Sequence, residues 1–136
     1  MLTVSPKEYQ AVTNNILVSV VPFFIEEKSE TNKNVYVFSY HVTLENLGAE
    51  SIQLINRHWR ITAGGKPFAD VKGEGVVGER PMLEPGEPYQ YSSWTVITEP
   101  YGSMSGCYTC RTTSGDFFDI AIPEFDLLYV DTNQLH

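Results

Sequence analysis

Gly73, Gly75 and Gly78 fall within the stretch VKGEGVVGERPMLEPGE (71–87) and reproduce the spacing G-x-G-x-x-G. Where such a trio follows a strand and opens a helix, the free N–H groups and the positive helix end hold the pyrophosphate of a dinucleotide. Here Pro81 and Pro85 follow closely, which prevents a helix of useful length from starting after the last glycine. The Rossmann reading therefore fails, and two others stay open. In one, the N–H groups of Gly73, Gly75, Val76 and Gly78 converge as an anion-binding nest without a helix, and Lys72 and Arg80 supply charge against the repulsion of Glu74 and Glu79. In the other, the glycines let a long crossover bend and pass close to the rest of the fold.

The remaining reactive side chains do not assemble into a catalytic pattern. Cys107 and Cys110 have C-x-x-C spacing, but they sit in a Tyr/Thr-rich stretch that reads as a strand, where residues three apart point to opposite faces. A zinc site would need two further ligands, and there is no second Cys pair. His41 and His58 are expected on opposite sheets, and His136 lies at the C-terminal end. The segment YSSWT (91–95) lacks the G-x-S-x-G elbow of a hydrolase. Asp116, Asp119, Glu124 and Asp126 alternate near the last strand as a solvated edge would. No catalytic residue, metal site or cofactor is expected.

The elements that would carry these residues are strands. Several runs of four to ten residues alternate with period two between Gly, Pro, Asn and Asp, and no helical stripe of useful length occurs. In NVYVFSYHVTLEN, Tyr36, Phe38, Tyr40, Val42 and Leu44 share one face. In IQLINRHWRIT, Ile55, Trp59 and Ile61 share a face with Arg57, opposite Asn56, His58 and Arg60, and Trp59 is the expected core anchor. Tyr89/Tyr91, Met104/Tyr108/Cys110 and Phe118/Ile120/Ile122 are the expected inner positions of the later strands. Seven or eight antiparallel strands with a Trp in the third describe an immunoglobulin-like or fibronectin type III-like β-sandwich, all-β, in a single domain over residues 1–136. Its core is expected over about 16–127, between short tails, Met1 to about Asn14 and about Asp126 to His136.

Charge and composition narrow the partners. Nine basic and seventeen acidic side chains leave a net charge of -8, which opposes the phosphate neutralisation that nucleic-acid binding needs and disfavours anionic membranes. The longest apolar run, Ile16 to Ile25, contains Pro22 and is too short to span a bilayer. The N-terminal stretch lacks the pattern of a secretory signal, so a cytoplasmic protein is expected.

Four motifs in order, NRHWRIT (56–62), GEGVVGERPMLEPGEPYQY (73–91), GSMSGCY (102–108) and FDIAIPEFDL (118–127), resemble the ApaG family, also called CorD. The resemblance spans roughly Ile16 to Leu127. It implies a fibronectin-like sandwich, and the family's fusion to F-box proteins and to a polymerase-delta-interacting protein implies an interaction module. It also implies a gene often adjacent to a diadenosine tetraphosphate hydrolase, and a genetic association with cobalt and magnesium efflux. The first functional expectation is thus a non-enzymatic domain that docks an unidentified protein partner through a sandwich face or an edge strand, with Trp94, Tyr101 and His58 as surface candidates. The alternative is a sensor of a phosphate-containing small molecule, pyrophosphate or a polyphosphorylated nucleotide, at the glycine loop. A monomer and an edge-paired homodimer are both open.

Overall fold

The computed structural model describes residues 7–129. Nine strands form two antiparallel sheets: β1 (Tyr9–Thr13), β2 (Ile16–Phe24), β3 (Tyr36–Asn46), β4 (Ile52–Ala63), β5 (Lys66–Glu74), β6 (Met82–Leu83), β7 (Tyr89–Ile97), β8 (Tyr101–Thr112) and β9 (Phe117–Leu128). The first sheet has the order β1-β2-β3-β7. The second has the order β5-β4-β8-β9, with the two-residue β6 also paired to β4. Two single-turn 3₁₀ helices, Glu26–Lys28 and Thr31–Lys33, link β2 to β3.

The expected sandwich is present, with more strands than alternation predicted. β1 lies inside the stretch read as an N-terminal tail. It forms a hairpin with β2 across Asn14 and Asn15, both at positive φ, the two-residue turn whose twist matches that of the strands it joins. Of the expected tails, residues 1–6 and 130–136, including His136, lie outside the described residues. At the C-terminal end Leu127 is fully buried, and Tyr129 packs edge-on against Phe24 and Tyr36.

The inner face of β3 is as the alternation predicts: Tyr36, Phe38, Tyr40, Val42 and Leu44 are all buried. Pro22 lies in β2 beyond the last β1 pair, Tyr9 with Val20, where among the described residues only β3 flanks the strand and a missing ladder donor is tolerated. Trp59 is 3% exposed and joins the sheets through rings at 5.2 Å (Tyr40), 5.9 Å (Phe125) and 6.3 Å (Tyr108). The reading of β4 needs one correction. Leu54, not Ile55, fills the core, because a bulge between Leu54 and Asn56 in the β4–β8 ladder inserts a residue and inverts the parity.

The core also holds ionisable groups that only an intact fold keeps neutral. Tyr91 and Tyr108 share a hydroxyl–hydroxyl hydrogen bond inside the sandwich. Burial pushes both phenols above their ordinary range and pushes the Cys110 thiol up to about 12, with the Asp119 charge adding to the thiol's shift. A group whose value is raised by folding stabilises fully below its unfolded value and loses that contribution as pH climbs toward the folded one. Thermal melts are therefore expected to be insensitive to these groups at pH 7–8. The midpoint should fall above about pH 8.5, where an unfolded thiol ionises, and more steeply above about pH 10, where unfolded tyrosines do.

Candidate functional site

The glycine loop is built around an arginine from another strand. Arg57 on β4 lies across from Gly73 on β5, and its Nη1 donates to the carbonyls of Glu74 and Gly75, both at 2.9 Å. A Cβ added to Gly73 would stand 2.7 Å from the guanidinium carbon, so the bare glycine is the space in which Arg57 lies. Gly75 adopts φ +60°, and its N–H donates to the Ile55 carbonyl at 2.7 Å. Val76, fully buried, and Glu79 exchange backbone bonds at 2.8 and 2.9 Å across Val77 and Gly78, both at positive φ, which makes the tip a type I′ turn.

These contacts bear on the nest. The N–H groups of Gly75 and Val76 are directed to internal carbonyls, and Arg80 pairs with Glu74 at 3.2 Å. Lys72 stands on β5 beside His58, on the outer face of the second sheet. What converges in the loop is carbonyl oxygen, and the cation it meets is the chain's own Arg57. The side chain that accounts for Gly73 lies sixteen residues before it.

The turn tip holds a strained residue. Val77 has φ +48° and is 65% exposed, although a β-branched side chain disfavours the left-handed region. Val77→Asn is expected to raise stability by roughly 0.5–1 kcal/mol in urea melts, since asparagine tolerates this conformation and little packing is lost.

The outer face of the second sheet carries an open polar depression of about 450 Å³ whose lining includes Asn56, His58, Lys72, Cys107, Thr109 and Asp119. His58 Nε2 meets Asp70 Oδ1 at 2.7 Å, and Cys107 is the cross-strand neighbour of His58, so the composition matches a Cys-His-Asp triad. Its electrostatics oppose that role. Partial burial, followed by the Asp119 carboxylate, pushes the Cys107 thiol up, with Arg60 acting the other way. A nucleophilic cysteine needs a lowered value to supply thiolate. Thr109 Oγ1 donates to Asp119 Oδ1 at 2.7 Å. Cys110 is buried on the opposite face, as strand alternation predicted. Among the described residues, no group of three or more His, Cys, Asp or Glu side chains is arranged to hold a metal ion. His41 lies on the other sheet, where its Nδ1 meets Ser92 Oγ at 2.9 Å.

The outer face of the first sheet is different in kind. Register places Phe23, Ser39 and Trp94 in one row across β2, β3 and β7, with Val21, His41 and Ser92 in the next. Phe23 is 42% exposed and Trp94 67%. Ser39, between them in register, is half-buried. The three surface candidates named from sequence do not come together: His58 and the exposed Tyr101 belong to the second sheet, and Trp94 to the first. Phe23 was missed because FFI reads as a uniformly apolar run, and only its pairing with Ser39 reveals that it faces outward.

The profile of the ApaG domain family matches residues 26–112 of this chain. The chain belongs to the ApaG family. It is 47% identical over 119 residues to "Protein ApaG" of Mesorhizobium japonicum, covering 88% of this chain and 92% of that protein. The corresponding protein of Methylorubrum extorquens is 45% identical over the same length. Among solved structures, the putative ApaA protein of Bordetella pertussis superposes with a TM-score of 0.82 at 40% identity, covering 86% of this chain and 95% of that one.

The ApaG match contains the glycine loop, Arg57, His58, Ser39 and Trp94, and it ends before β9. Both the arginine-filled loop and most of the aromatic row therefore lie within the family's own domain. Among the described residues, no helix is long and apolar enough to cross a membrane.

Proposed function

We propose that this ApaG-family chain is a non-enzymatic binding module that docks a protein partner on the outer face of its first sheet. The observation that carries the reading is the row Phe23, Ser39 and Trp94, two exposed aromatic rings flanking a small hydroxyl on the outer face of the first sheet. A large aromatic ring left in water is an unusual use of surface, and Trp is among the residues that dominate interface energetics. Fully burying one such side chain contributes roughly 1.5–3 kcal/mol, enough for a pair of rings to anchor a specific contact. The non-enzymatic part of the reading is supported by the Cys107 thiol, which partial burial and the Asp119 carboxylate push up, away from the lowered value a nucleophile needs. On this reading any part in cobalt and magnesium efflux runs through the partner, in the cytoplasm.

The test replaces Ser39 with a photo-crosslinking amino acid in living cells. Discrete adducts are expected from that position, abolished by a second change, Trp94→Ala. The same probe at Ser105, on the other sheet, is expected to give none of them. Equal adducts from both positions, or none from Ser39, would overturn the reading.

A further inference from the structure

Charge is distributed unevenly between the two outer faces. Of the chain's nine Lys and Arg residues, Arg57, Arg60, Lys66, Lys72, Arg80 and Arg111 lie on β4, β5 and β8 or in the loop after β5. The other three are Lys7, which stacks on the Tyr9 ring at 4.7 Å, Lys28, and Lys33, which pairs with Glu30 at 3.4 Å. None occupies an outward position on β1, β2, β3 or β7. The fixed charge on these strands is acidic. Glu45 lies opposite Leu17, and Glu8 accepts from Gln10, which itself reaches Ser19. At the end bearing Phe23 and Trp94, the segment after β2 carries Glu26, Glu27 and Glu30 against Lys28 and Lys33, of which Lys33 is paired with Glu30.

We infer that the segment docked on this face is cationic, an extended stretch in which Arg or Lys alternates with apolar residues, with one cation stacked on the Trp94 ring. The inference rests on the docking reading above and specifies its partner. An acidic segment would meet no Lys or Arg on the strands of this face. A cationic segment meets the negative potential of a chain of net charge -8 on strands that carry no Lys or Arg of their own. The indole face is the best aromatic acceptor of a guanidinium. Alternation suits the surface as well: apolar side chains of an extended segment fill the space over Ser39 beside Phe23, and its cations reach Trp94 and the acidic rim.

The probe is a capped ten-residue peptide of alternating Arg and Leu, titrated into the isotopically labelled full chain and followed by amide NMR. A Glu–Leu peptide of the same length is the control. Saturable shifts centred on Phe23, Ser39, His41, Ser92 and Trp94 are expected with the Arg–Leu peptide only. Ser39→Lys, which sets a like charge between the rings, is expected to weaken binding at least tenfold, and Ser105→Lys on the other sheet to leave it within twofold. Shifts spread over acidic surface elsewhere, equal binding of the two peptides, or no loss in Ser39→Lys would each overturn the inference. The crosslinking experiment separates the two levels. Adducts at Ser39 without Arg–Leu binding leave the docking reading standing and remove only the cationic partner.

Discussion

Gly75→Ala is expected to destabilise the chain by about 3 kcal/mol with no ligand present, a fall in melting temperature of about 10 °C for a domain of this size. Two costs combine. The φ of +60° costs an L-residue about 1–2 kcal/mol. The added Cβ would also stand 2.0 Å from the Glu79 carbonyl oxygen, which is backbone and can yield only by moving the turn, at a further cost of about 1–3 kcal/mol. Gly78→Ala is the internal control. Its φ is +80°, but its added Cβ meets nothing within 4 Å, so only the conformational cost of about 1–2 kcal/mol remains. At Gly73 the obstruction is the Arg57 guanidinium, so Gly73→Ala should be strongly non-additive with Arg57→Ala, because each change removes the same pair of carbonyl contacts. If Gly75→Ala melts with the parent and differs from it only when pyrophosphate is present, the loop serves a ligand and its architectural account is wrong.

That loop also shows where reading a sequence stops. The spacing of its glycines was visible, and the prolines after it correctly excluded a helix. Its cause was not visible, because Arg57 and Gly73 become neighbours only through the register of β4 against β5. The same limit explains Ile55: period two holds along an unbroken ladder, as in β3, and a single bulge inverts it without any mark in composition. β1 was missed for a different reason. Tyr9–Thr13 alternates too briefly to stand out, and what holds it is non-local, the pairing with β2 and the contact of Tyr9 with the Phe125 ring at 6.1 Å. By contrast, the outward direction of Trp94 followed directly from the inward Tyr89 and Tyr91 on its own strand, since that inference needs no partner strand. Properties carried by one strand were legible. Those that need two strands in register, including the row that joins Trp94 to Phe23, were not.

The two tryptophans turn this distinction into an experiment. Trp59→Ala is expected to cost about 3–5 kcal/mol, because the ring is 3% exposed and contacts aromatic rings from both sheets, so its loss leaves a cavity that the sandwich cannot close. Trp94→Ala is expected to change stability by no more than about 0.5 kcal/mol, since the ring is 67% exposed. Its effect should fall on binding instead: about 2 kcal/mol, a loss of roughly thirtyfold in affinity for the Arg–Leu peptide, the size expected of a central interface anchor. Urea melts and the NMR titration on the same two variants separate these outcomes. If Trp94→Ala unfolds the chain as readily as Trp59→Ala, the ring is part of the packing and the face is not a free surface. If it changes neither stability nor affinity, Trp94 is an ordinary exposed side chain, and the docking site must be sought on the second sheet, where Arg60, Lys72 and His58 would call for a partner of different charge.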